Sequence, residues 1–95
     1  MKTPVINTDD YTVYLEYFSD NTFIHCDCHR WTKTVKQQLK ADIDTLLKLH
    51  RKPIFALHDI PDIKHLKFIH MMGFEYLFDF PTDVGEIKQL FVRIK

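Results

Sequence analysis

The sequence predicts one α+β domain, a mixed central sheet packed by two helices in the order ββαβαββ. Three observations carry this. Alternating aromatic and β-branched runs mark strand pairs at both ends of the chain. Apolar residues recur at three- and four-residue steps over one long segment, Thr34 to His50, and one short one, Asp62 to Met72. Between them lies a wholly apolar run, so that strand, long helix and strand form a right-handed crossover with two parallel strands.

The elements follow in order. Residues 1–10 hold Pro4, Asn7, Thr8 and paired aspartates without periodicity, and are expected to be an irregular arm leading into a core over residues 11–95. Tyr11 to Phe18 is aromatic and β-branched, Ser19-Asp20-Asn21 is turn chemistry, and Phe23 to Cys28 returns as the second strand of a hairpin. On that second strand Ile24, Cys26 and Cys28 share one face, while Phe23, His25, Asp27 and His29 share the other. Along the long helix Val35, Leu39, Ile43, Leu46, Leu47 and His50 form the inward stripe, with lysines largely opposite. Arg51-Lys52-Pro53 ends it, and Ile54-Phe55-Ala56-Leu57 reads as a buried central strand.

Asp59 or Asp62 is available to cap the second helix, whose inward stripe is Ile63, Leu66, Ile69 and Met72. Gly73 is its left-handed stop. Phe74, Tyr76, Phe78 and Phe80 then alternate as an inward ladder, and Ile87 to Ile94 pairs back across the loop from Pro81 to Glu86.

Composition narrows the function. The 95 residues are 45% hydrophobic and 14% aromatic, with eight Phe and four Tyr, so large rings must fill a small core. Thirteen basic residues balance thirteen acidic ones, which argues against nucleic acid as a partner. No apolar run reaches membrane-spanning length, and Met1-Lys2-Thr3-Pro4 is not a secretory leader, so a cytoplasmic location is expected. Cys26 and Cys28, two apart on one strand face, are expected to be reduced thiols.

The passage Lys67-Phe68-Ile69-His70-Met71-Met72-Gly73-Phe74-Glu75-Tyr76-Leu77, set between the central strand and the last hairpin, resembles the C-terminal half of a GNAT-type N-acetyltransferase. The resemblance implies that Phe23 to Cys28 and Ile54 to His58 splay apart, with the pantetheine arm of acetyl-CoA between them. It implies a pyrophosphate seat at the start of the long helix, where Arg30, Thr32, Lys33 and Thr34 are the candidate ligands. Two departures follow from the same comparison. The family's spaced glycines are absent and bulky Trp31 stands among these residues; Asp62 and Ile69 occupy the places of a cofactor-binding Asn and an acid Tyr. An isoleucine cannot protonate a departing thiolate. The chain also resembles small bacteriophage proteins, including acetyltransferase-like, head-assembly and internal virion proteins.

His25, Asp27 and His58 are the candidates for a general base. No metal site is expected, because alternation separates the imidazoles from the thiols. Tyr11, Tyr14, Tyr17, Trp31 and Phe91 exceed the needs of a small core and are candidate interface residues. The favoured reading is a catalytically degenerate, cofactor-free GNAT-like module that binds a partner protein or a second copy of itself through an exposed edge near Tyr11 to Phe18. The alternative is a minimal acetyl-CoA-dependent N-acetyltransferase, with a dimer partner completing its site.

Overall fold

The computed structural model describes residues 2–94, so Met1 of the expected arm and Lys95 of the expected core lie outside it. It contains β1 (Lys2–Asn7), β2 (Tyr11–Phe18), β3 (Asn21–Cys28), α1 (Lys33–His50), β4 (Ile54–His58), α2 (Ile63–Met71), β5 (Glu75–Pro81) and β6 (Ile87–Arg93). Among the described residues the strands form a single mixed sheet in the order β1-β2-β3-β4-β6-β5, with only β3 and β4 parallel.

The predicted α+β class holds, but the sheet has six strands instead of five. The difference lies in the expected arm. Lys2–Asn7 pairs antiparallel with β2, and the Thr12 hydroxyl donates to the Asn7 carboxamide oxygen at 2.9 Å. Pro4 is tolerated because β1 is an edge strand, and an irregularity between Pro4 and Ile6 interrupts the alternation by which a strand is recognised. The sheet edge expected at Tyr11 to Phe18 is therefore covered, and β1 is the edge.

Local chemistry explains the remaining boundaries. Ser19 and Asp20 both have positive φ, 49° and 66°, the backbone of a two-residue turn whose twist matches the β2–β3 hairpin. The Thr32 hydroxyl oxygen accepts from the Val35 N–H at 3.1 Å and starts α1, while Arg51, left-handed at φ 61°, ends it. Asp62 accepts from the His65 N–H at 3.0 Å and starts α2. At its other end Gly73 N–H donates to His70 O at 3.0 Å and Phe74 N–H to Ile69 O at 3.2 Å, a Schellman arrangement with Gly73 at φ 84°.

The core gathers Val35, Leu39, Ile43 and Leu47 of α1, Ile69 and Met72 from α2 and its cap, and one face of the strands: Tyr11, Val13, Ile54, Ala56 and Phe91. Both helices thus lie over one face of the sheet. Tyr14, Phe23, Phe55 and Leu57 belong to the other face and are half-buried, with no helix over them among the described residues. Two expectations are corrected here. Ile63, in the first turn of α2, is exposed. The aromatic ladder of β5 is not wholly inward: Phe74 is buried, but Tyr76 and Phe78, on an edge strand whose register shifts between them, are exposed. Among the described residues no helix is long and apolar enough to cross a membrane.

Candidate functional site

The site arises where pairing stops. β3 and β4 pair only at Thr22–Ile54 and Phe23–Phe55, then part, although each continues for several residues. β2 holds β3 along one side, while β6 holds β4 along the other from Ile54 to His58. A cleft of about 650 Å³ fills the parting. Side chains from both faces of β3 reach it, Ile24, Cys26 and Cys28 from one and His25 and Asp27 from the other, as only a gap through the sheet allows. Ala56 and Leu57 form the β4 wall. On α2, Asp62, His65 and Ile69 close the helix side.

The base candidates fare differently. His25 sits at the open side of the cleft, its Nε2 2.8 Å from Glu16 Oε1, and this hydrogen bond is the main cause holding the Glu16 carboxyl below its usual range. Asp27 lines the cleft and is exposed. His58 is fully buried and meets no solvent. Its Nδ1 lies 3.0 Å from Nδ1 of His65, the ring centres are 5.2 Å apart with the planes 28° from parallel, and its Nε2 has no hydrogen-bond partner among the described residues. It cannot touch a substrate as a base; its contact with the cleft runs through His65.

His65 stands in sequence among the basic residues Lys64, Lys67 and His70 of the second helix. The structure makes it half-buried and places it on the cleft wall, one helical turn before Ile69. Burial first, then the charge of His58, lowers its pKa, against opposing pulls from Asp62 and Asp59. The signal was the spacing itself, since residues four apart on a helix share a face.

The phosphate candidates are not brought to the cleft wall. Thr32 is engaged in capping α1, and Arg30 pairs with Asp10 at 3.6 Å. Lys33 and Thr34 are exposed in the first turn of α1. Trp31 leans on Phe68 of α2, ring centroids 5.8 Å apart, at the end of the cleft. Lys2, Lys64 and Lys88 do line the cleft, with Lys88 3.2 Å from Asp59. Among the described residues they are the lysines that line the cleft.

Among the interface candidates, Tyr11 and Phe91 are corrected to core residues, each about 1% exposed. The Tyr11 hydroxyl donates to Asp42 of α1, which satisfies its polar end under the helix, and Phe91 meets His58, His70 and Tyr76 edge-on. Tyr14 is half-buried, and Tyr17 and Trp31 are exposed. Cys26 and Cys28 are free thiols with sulfurs 3.7 Å apart; burial, then the neighbouring Cys28, pushes the Cys26 thiol far up, which makes it a poor nucleophile. No cluster of three or more metal-ligating side chains occurs among the described residues.

The fold has known counterparts. The chain aligns with ribosomal-protein-S5-alanine acetyltransferase from Vibrio fischeri at a TM-score of 0.68 and 15% identity, over 90% of this chain and 54% of that one. It aligns with a protein assigned to the GNAT family of acetyltransferases from Bordetella pertussis at a TM-score of 0.69 and 14% identity, over 88% of this chain and 57% of that one. The chain spans little more than half the length of either. The likeness shows a GNAT-like fold, and neither counterpart bears on a bacteriophage origin or a virion role. No protein-family model and no curated protein matches the sequence.

Proposed function

We propose that the chain binds an acyl-CoA thioester between β3 and β4 and acts as a minimal acetyl-CoA-dependent N-acetyltransferase. The observation that carries this is the parting of the two parallel strands after two residue pairs, over a cleft large enough for an extended arm. An extended ligand there can pair with strand-edge amides that have no sheet partner on that side. The GNAT-like fold supports the same reading.

An acceptor amine approaching from the open face meets His25 and its Glu16 partner. In the transfer the amine nitrogen bonds to the thioester carbonyl carbon, the C–S bond breaks, the pair of electrons leaves on sulfur, and the surplus ammonium proton passes to the ring of His25. Glu16 holds and orients the imidazole through the 2.8 Å contact. Calorimetry with acetyl-CoA tests the reading: binding in the micromolar range supports it, and the absence of heat at about millimolar ligand refutes it.

A second reading, a module that binds a partner protein or a second copy, has its support in the helix-free sheet face, where Phe23 and Phe55 pack ring to ring at 5.8 Å. Light scattering and cross-linking test it; a strict monomer excludes the self-associating form.

A further inference from the structure

The cleft lacks an acid or donor at Ile69, yet one turn earlier on the same helix wall stands His65, bonded to a fully buried imidazole. The two Nδ1 atoms, 3.0 Å apart, form a hydrogen bond only if one carries a proton and the other a lone pair. His58 settles which. Its Nε2 is buried without a hydrogen-bond partner among the described residues. Were Nδ1 of His58 the acceptor, its proton would sit on Nε2 as an orphaned buried donor, whereas a bare Nε2 lone pair is the smaller penalty. His58 therefore donates Nδ1–H to Nδ1 of His65. The neutral His65 must then carry its own proton on Nε2, the ring edge opposite His58.

From this geometry we infer that His65 is the hydrogen-bond donor to the thioester group of the acyl-CoA bound between β3 and β4, with His58 as the positioning residue that fixes its tautomer. This rests on the acyl-CoA reading of the cleft. The donor is a neutral imidazole, held neutral because a second proton, on Nδ1, would point at the Nδ1–H of His58. It polarises the carbonyl or steadies charge on the departing sulfur by hydrogen bonding, without giving up its proton.

Long-range proton–nitrogen spectra of the wild-type chain, with its histidines nitrogen-15 labelled, test the tautomers without any substitution. The expected result is a protonated Nδ1 on His58 and a protonated Nε2 on His65; the reverse pattern overturns the inference. Acetyl-CoA titrations then test the contact. His65→Ala is expected to weaken binding by about tenfold, and His65→Gln, whose amide places a donor near Nε2, to recover most of it. His58→Asn, which keeps a donor near Nδ1, is expected to hold binding closer to wild type than His58→Leu does, with thermal melting confirming that each variant is folded. If wild type binds acetyl-CoA and His65→Ala binds equally well, the inference fails while the cleft reading stands. If wild type does not bind at all, both fail.

Discussion

β3 is bound differently on its two sides. Against β2 it pairs along its whole length, Tyr11 opposite Cys28 through Phe18 opposite Asn21; against β4 it pairs twice and stops. The first seam is local: a two-residue turn with the left-handed backbone at Ser19 and Asp20 sets its register. The second is set from a distance, by the α1 crossover and by the five positions at which β6 holds β4. One strand thereby serves as both scaffold and wall. Substitutions under the helices are expected to act on stability, and substitutions at the parting on ligand binding.

The largest effect belongs to the packed side. Phe91→Ala removes a fully buried ring beneath α2 and is expected to cost about 3–5 kcal/mol in urea unfolding. Ile24→Ala, half-buried on the cleft wall, is expected to cost no more than about 2 kcal/mol. Equal costs would erase the distinction between residues packed under the helices and residues at the parting.

Helix ends give the next effects, of opposite sign. Gly73→Ala forces a side chain into a left-handed residue, 3.2 Å from the Arg93 guanidinium, and is expected to cost about 1–2 kcal/mol. Arg51→Gly relieves the same conformation at the end of α1, an expected gain of about 1 kcal/mol in the same assay.

Two pH tests are smaller. Burial first, then the hydrogen bond to Asp42, raises the Tyr11 pKa above its ordinary value of 10.0, so the associated stability is complete below that value and falls as pH rises beyond it. Tyr11→Phe should flatten that alkaline slope, measured as urea midpoints from about pH 9 to 11. The Glu16 carboxyl is lowered, chiefly by the His25 hydrogen bond, so its contribution is present above the ordinary carboxylate range and lost as pH falls through the folded value. Each side chain of the pair is about one-third exposed, so solvent screens it, and Glu16→Gln is expected to change stability by less than about 0.5 kcal/mol.

What the sequence disclosed follows the range of the forces involved. α1, α2, Gly73 and the β2–β3 hairpin were legible because each is specified within a few residues by periodicity, caps or a turn. β1 was not, since Pro4 and an interrupted register hide the alternation. Tyr11 and Phe91 looked surplus because nothing local says that α1 supplies Asp42 for a buried hydroxyl, or that α2 covers β6. The splay itself was legible only through family resemblance. The His58–His65 contact depends on the rotation of α2 over β4, which spacing along one chain does not encode.

The most direct measurement is an amide-resolved NMR titration of the chain with acetyl-CoA. The account predicts that the signals of Ile24 to Cys28, Ala56 to His58 and His65 shift together, while Val13 and Leu15, beneath α1 on β2, stay in place. Shifts confined to the helix-free face around Phe23 and Phe55, or no shifts at all, would contradict it.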